Sequence, residues 1–262
     1  VTGTEPDGPG TSDAPPGVPT AGTGSADRAG GARPVDRPDR ARWTVVVPAK
    51  APARAKTRLA PHIGDEFRMA LARAFAADTI TAALAAESVA HVIVVGDDPT
   101  LANGAEFLDE RLPDPSGSVT SAAAGVPGLT ASIARGIAFA RASGAGDIGV
   151  LLGDLPCVRP DDLDAALARA AEHPLAFVAD ADGTGTTLAT ALAGVRFEPH
   201  FGADSASEHE RAGFVPLEAS ARLRRDVDTL DALEDAIAIG TGARTAHAVA
   251  TLADRGPLPP AE

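Results

Sequence analysis

The run Ile148-Gly149-Val150-Leu151-Leu152, closed by Gly153-Asp154-Leu155-Pro156, constrains the fold more than any other stretch. It is apolar, too brief for a helix, and long enough for a buried strand. Pro156 has no N–H to give to a ladder and turns the chain out of the sheet. A helical pattern, Asp161 to Ala171, follows directly. Strand then helix is the unit from which parallel sheets are built. Ligands of open α/β sheets bind beyond the carboxyl ends of the strands, which places Asp154 at a binding rim. A carboxylate there suits a hard cation carrying a nucleotide's phosphates. The same carboxylate could instead do no more than cap the turn.

Further runs repeat the pattern. Thr44 to Val47 reads as a first central strand ended by Pro48, and His91 to Gly96 as a second. Leu175 to Ala179, Leu188 to Leu192 and Phe214 to Leu217 read as later strands, and Glu106 to Leu108 as a weak one. Helical spacing covers Glu66 to Ala86, Gly128 to Ala142, Leu230 to Ile239 and Thr245 to Leu252, with a short helix at Leu101 to Ala105. The expectation is an α/β fold. Aromatics are only 3% with no Tyr, so the core must come from Ala, Val, Leu and Ile. Residues 1–42 are rich in Gly, Pro, Asp, Ser and Thr and hold almost nothing to bury, so they are expected to form a disordered arm. The ordered domain is expected over 43–254, with a flexible tail at 255–262.

Charge and cysteine content exclude several classes. A formal net charge of −13 offers no overall basic field to nucleic acid, although it leaves room for a local basic pocket. The single cysteine, Cys157, rules out an intrachain disulfide and a cysteine-only metal cluster. No apolar run is long enough to span a bilayer, and the N-terminus lacks a basic-then-apolar pattern. A cytoplasmic protein with no membrane partner is expected.

The loops carry the chemistry. Lys50, Arg54, Lys56 and Arg58 crowd the loop after the first strand of an otherwise acidic chain. Lys and Arg there can donate charge-assisted hydrogen bonds to a nucleotide's phosphates. The loop is not a Walker A loop, lacking its glycines and its Gly-Lys-Ser/Thr ending, and it could equally be a solvated basic loop. Gly128-Leu129-Thr130 opens a helix whose free N–H groups suit an anion or a base, unless Thr130 simply caps it. Asp180 to Thr187 alternates glycine with threonine and can wrap a small phosphorylated acid, or turn a hairpin. His200 to Ser207 is a second small-residue loop, and a helix starting near Asp204 or Ser205 would aim its positive end at an anion. His209, one turn on, reads as structural. Asp228 fits either a helix cap or a second metal carboxylate.

Five segments, in order, resemble one family. VVVPAKAPARAKTRLAP (from Val45), LLGDLPCV (from Leu151), FVADADGTGTT (from Phe177), FEPHFGADSASEHERAG (from Phe197) and RRDVDTLDAL (from Arg224) are similar to blocks of the guanylyltransferases that build the deazaflavin coenzyme F-420. The resemblance spans roughly 45–249. The Gly-Thr-Gly-Thr and Phe-Gly-x-x-Ser blocks are specific to that family, while Asp-Leu-Pro is shared with wider nucleotidyltransferases, including those acting on molybdopterin. The resemblance implies a Rossmann-like, mostly parallel sheet of the nucleotide-diphospho-sugar transferase (glycosyltransferase-A) type. It implies transfer of GMP from GTP, with magnesium (Mg2+), to a small phosphorylated acid. Archaeal members use 2-phospholactate and actinobacterial members phosphoenolpyruvate, and this chain looks closer to the latter. A downstream deazaflavin-side transferase would take the product.

Carried over residue by residue, the resemblance puts phosphoenolpyruvate at Thr186, Gly202 and Ser205. The metal falls at Asp154, with Asp228 completing the site. The nucleotide falls along Pro48, Lys50, Lys56, Arg58, Gly128 and Thr130. Lys50, Lys56 and Arg58 would act with Asp154 in catalysis by holding the β- and γ-phosphates. Thr130 departs from the family's Gly-Leu-Asn block. The rivals are a nucleotidyltransferase acting on 2-phospho-L-lactate, 3-phosphoglycerate or a molybdopterin, and a non-catalytic nucleotide-binding module that regulates a partner.

Overall fold

Trp43–Ala49 forms strand β1, the spine of the molecule, and every one of its residues is buried. The structure is a computed structural model and describes residues 42–51, 55–56, 59–111 and 128–254. The arm expected at 1–42 (Arg42 apart) and the tail at 255–262 fall outside those residues. After β1 come α1 (Ala60–Ala85), β2 (Val89–Gly96), β3 (Glu106–Asp109), α2 (Leu129–Ala142), β4 (Asp147–Leu151) and α3 (Pro160–Ala170). Then follow β5 (Leu175–Ala179), β6 (Thr186–Ala191), α4 (Ser205–Arg211), β7 (Val215–Pro216), α5 (Ala221–Arg224), α6 (Leu230–Ile239) and α7 (Ala243–Asp254).

The strands form one sheet in the order β3-β2-β1-β4-β6-β5-β7. β1 pairs in parallel with β2 and β4, and β2 with β3. The β-branched run Thr44 to Val47 explains the central place of β1, because alternate residues feed two cores. Val45 and Val47 pack with Ile80 of α1 and Leu163 and Leu167 of α3. Val46 points the other way, into Ile133 and Ile137 of α2 and Phe201 before α4.

β6 runs antiparallel to both β4 and β5. Its direction matters for function. A strand that starts where its neighbours end brings Thr186 to the carboxyl edge of the sheet, opposite Ala179 and close to the end of β4. Leu152 N–H then donates to Thr187 C=O at 2.9 Å, which carries the pairing one residue past β4.

Several local expectations need correction. Pro48 does not end β1: it pairs with Val95 of β2, and Ala49 with Gly96. Pairing with β4 stops at Val46, so beyond that point one side of β1 is free of ladder bonds and a missing N–H costs little. α1 begins earlier than Glu66, at Ala60, with Pro61 in its first turn and a break at Gly64 (φ 71°). The short helix expected at Leu101 to Ala105 is a 3-10 turn at Pro99–Leu101, capped by Asp98, whose carboxylate accepts from Thr100 N–H at 3.0 Å. Positive φ angles at Asn103 and Gly104 stop it there. Thr130 lies inside α2 rather than capping it, since the N-cap is Gly128.

Candidate active site

The carboxyl ends of β1 and β2 approach so closely that a Cβ on Gly96 would collide with the Ala49 carbonyl oxygen. At the same edge, Asp97 accepts a hydrogen bond from Ala51 N–H at 2.9 Å. The loop after β1 is therefore tied to the turn after β2 just where the basic cluster begins. A second tie comes from α1. Arg68, itself 5% exposed, donates to the Ala55 carbonyl and pairs with Asp65 at 2.9 Å.

These ties aim Lys56 inward. Its backbone takes the left-handed conformation (φ 54°), uncommon for a side chain of this size. Its ammonium meets Asp154 and, at 2.6 Å, Asp228. Burial alone would lower the Lys56 pKa, but the two carboxylates more than offset this and hold it above its usual value. One end of the site thus comes from the loop after β1, another from the turn after β4, and the third from the segment before α6.

The third segment is extended between α5 and α6, so its side chains alternate. Val227 is fully buried against Leu59, Phe75 and Leu233. Asp226 and Asp228 therefore share the opposite side. Val227 N–H donates to the Asp154 carbonyl at 3.2 Å, which fixes the segment beside the β4 turn. Asp226 was not among the residues singled out from sequence. Burial, with Asp154 and Asp228 nearby, pushes its carboxyl up to about 7. The signal was present in the Asp-Val-Asp alternation around an apolar residue.

The acid-binding candidates gather along a neighbouring edge of the sheet. Asp180 closes the Gly-Thr loop on itself, accepting from Thr184 N–H at 2.9 Å and Gly185 N–H at 2.8 Å. Arg224 donates to the Asp180 carbonyl at 2.7 Å, linking this loop to the Asp226–Asp228 segment. Ala206 N–H of α4 donates to the Thr184 carbonyl at 3.0 Å, so the loop before α4 joins the same edge. Thr186 and Ser205 are buried, and Gly202 is exposed with φ 144°, a conformation that side chains rarely adopt. α4 does begin at Ser205, but it has only seven residues. It is too short for the dipole expected of it.

Other candidates are less enclosed. Lys50 is exposed at the end of β1, and Gly128 and Thr130 are exposed at the start of α2. Pro48 lies within β1 and is buried. Arg58 and Arg54 lie outside the described residues. Cys157 is buried, donates to the Ala236 carbonyl at 3.3 Å, and has its thiol pushed up to about 11 by burial, which makes it inert. A mostly apolar cavity of about 550 Å³ lies between α1 and α7, lined by Phe67, Ala74, Leu101 and His247 among others. It shares no lining residue with the carboxylate cluster, so chemistry rather than volume locates the site. No described helix is long and apolar enough to cross a membrane.

The donor set suits a hard divalent cation. Asp154 Oδ1 is buried and finds no partner among the described residues. Asp154 and Asp228 already converge on one positive charge, the Lys56 ammonium. No closed cage of three carboxylate, imidazole or thiolate ligands exists among the described residues. A cation of the magnesium type does not require one, since it takes one or two carboxylates and completes its shell with water and substrate phosphates.

Comparison with known proteins gives the family. Residues 73–240 match the family model of the MobA-like NTP transferase domain. A phosphoenolpyruvate guanylyltransferase of Streptomyces scabiei (strain 87.22) is 44% identical over 215 residues, covering 80% of this chain and 97% of that protein. One of Streptomyces avermitilis is 45% identical over 219 residues, covering 82% and 97%. Among solved structures, a Desulfovibrio desulfuricans G20 protein described as a nucleotide-diphospho-sugar transferase superposes with a TM-score of 0.58 at 17% identity, covering 83% of this chain and 99% of that one. That likeness establishes the fold, a mixed and mostly parallel α/β sheet of the nucleotide-diphospho-sugar transferase type. The chain is a nucleotidyltransferase that belongs to the phosphoenolpyruvate guanylyltransferase family, built on a MobA-like NTP transferase domain.

Proposed function

We propose that this enzyme transfers GMP from GTP to phosphoenolpyruvate, releasing pyrophosphate and forming enolpyruvyl-diphospho-guanosine for a deazaflavin coenzyme pathway. The observation that carries this reading is the convergence of Lys56, Asp154, Asp226 and Asp228 beside the Thr186–Ser205 edge. Relatives that share more than two-fifths of the sequence bear the corresponding name.

A phosphate oxygen of the acid attacks the α-phosphorus of GTP. The bond from that phosphorus to the oxygen bridging to the β-phosphate breaks, and pyrophosphate leaves with the electron pair. The attacking group is already an anion, so no strong general base is needed. Catalysis then rests on orientation and on neutralising charge. Asp154 and Asp228, with Asp226 beside them, would hold magnesium. When bound, the ion supplies charge neutralisation and orientation of the phosphates. Lys56 supplies a buried positive charge to the transferred and leaving phosphates. Lys50, and Arg58 beyond the described residues, would reach the β- and γ-phosphates from the loop after β1. The Gly128–Thr130 start of α2 would face the nucleoside. Thr186, Gly202 and Ser205 would hold the acid.

Pyrophosphate release from GTP and magnesium tests the proposal, with phosphoenolpyruvate and 2-phospholactate offered separately. The downstream deazaflavin-side transferase and its acceptor should be present to trap the product. Release with phosphoenolpyruvate supports the reading. Release only with 2-phospholactate keeps the chemistry and changes the acid, and no release with either overturns it.

A further inference from the structure

His209 is fully buried in the middle of α4, yet both ring nitrogens are engaged. His200 N–H donates to Nε2 at 3.0 Å. A backbone N–H can only donate, so Nε2 must be the unprotonated nitrogen. The ring proton of the neutral imidazole therefore sits on Nδ1, which lies 2.7 Å from the Ser205 carbonyl and 3.0 Å from Thr186 Oγ1. An Nδ1 that carries a proton cannot accept one. The Thr186 hydroxyl can only share the Nδ1 proton as an acceptor, and its own O–H must point to another partner.

No other hydrogen bond involves that hydroxyl among the described residues. Thr186 is 3% exposed and lies at the carboxyl edge of the sheet, so a partner for its O–H must come from that edge. The ring itself cannot turn. It stacks on Phe177 with centroids 5.4 Å apart and meets Phe201 and Phe214 edge-on at 5.4 and 4.8 Å. His209 thus joins the Gly-Thr loop, the His200–Gly202 loop and the first turn of α4 through one locked ring.

We propose that His209 is a positioning residue for the acid subsite: its fixed tautomer makes the Thr186 hydroxyl an obligate donor, directed at an anionic oxygen of the bound phosphorylated acid. The inference rests on the function proposed above and adds the device that orients its substrate. A phenyl ring at this position could neither accept from His200 N–H nor fix the direction of the Thr186 hydroxyl.

The test is a mutant cycle on the whole protein. His209→Phe keeps the aromatic packing and removes both nitrogens, while Thr186→Val removes the hydroxyl and keeps the shape. Each single change should raise the KM for phosphoenolpyruvate on the order of tenfold, the scale of one hydrogen bond to a charged group. The double variant should be no worse than either single one. In His209→Phe the KM for GTP should not rise with it. His209→Asn, whose amide nitrogen can take the place of Nδ1, should recover part of the loss, and it carries the test if the Phe variant fails to fold. Ring 15N shifts of the wild type should show protonated Nδ1 and bare Nε2 without any substrate.

A protonated Nε2, an unchanged KM for phosphoenolpyruvate in His209→Phe, or additive losses in the double variant would each overturn the inference alone. A wild-type protein that releases no pyrophosphate with phosphoenolpyruvate would overturn the function proposed above instead.

Discussion

Replacing Lys56 with Met tests the electrostatic design of the site most directly. Met fills the volume of the lysine stem and removes only the charge. The Lys56 side chain is 8% exposed, Asp154 23% and Asp228 53%. Breaking a buried pair costs about 3–5 kcal/mol, because the remaining charge is stranded. Asp228 is half in water and rehydrates, so most of the loss falls on Asp154, whose second oxygen already has no partner. The expected destabilisation is about 2 kcal/mol. For a domain of this size that lowers Tm by roughly 4–8 °C. Trp43, the only tryptophan and 1% exposed, reports unfolding through its fluorescence. Magnesium should raise Tm more in Lys56→Met than in the wild type, since the cation then meets Asp154 and Asp228 with no ammonium between them. Turnover should fall about 100-fold or more, the cost of losing one preorganised positive charge at a transferring phosphate. A variant within about 0.5 kcal/mol of the wild type, with an unchanged response to magnesium, would refute the reasoning.

Three further changes follow from the same geometry. Asp154→Asn should lower kcat about 10²–10³-fold while the Trp43 signal stays native, and near-normal turnover would remove Asp154 from the metal site. Gly96→Ala forces a Cβ onto the Ala49 carbonyl and should cost about 1–3 kcal/mol in urea unfolding, so an unshifted midpoint would show that β1 and β2 part freely. His209 is buried neutral, and burial lowers its pKa from 6.5 to about 4. The unfolded chain binds that proton first, so the stability from neutral burial is complete above pH 6.5 and drains away as pH falls towards 4. The wild type should lose about 3 kcal/mol more than His209→Phe over that window, and parallel pH profiles would contradict the burial argument.

Much of this architecture was legible because single residues carry unambiguous physics. Short apolar runs, Thr44 to Val47, Ile148 to Leu152 and Leu175 to Ala179, marked β1, β4 and β5. The spacing of α6 placed its ends correctly, but its cap is Thr229, which accepts from Ala232 N–H at 3.2 Å, and not Asp228, which turns to Lys56 instead. Pro48 misled because a proline is disruptive only where a ladder bond is needed, and the pairing of β1 with β4 stops before it. The direction of β6 could not be read locally either, since strand polarity follows from which neighbour the strand meets, not from its own alternation. Asp226 was overlooked for a different reason. A carboxylate is recognised as part of a cluster only when the fold brings its partners near, and these lie 72 residues away at Asp154 and 170 away at Lys56.

The least legible residue is also the most informative about how the site is organised. From sequence His209 is one histidine on a short polar helix, and a structural role is the natural reading. That reading holds for the ring, which bonds within the protein and is closed off by phenylalanines. Yet its hydrogen bonds end on the segments expected to hold the acid. The boundary between core and site therefore runs through a single ring: one nitrogen accepts from a loop, and the other decides where a threonine proton can go. A residue of this kind leaves no trace in spacing or composition, because its effect lies in the direction of a hydrogen bond it does not itself make.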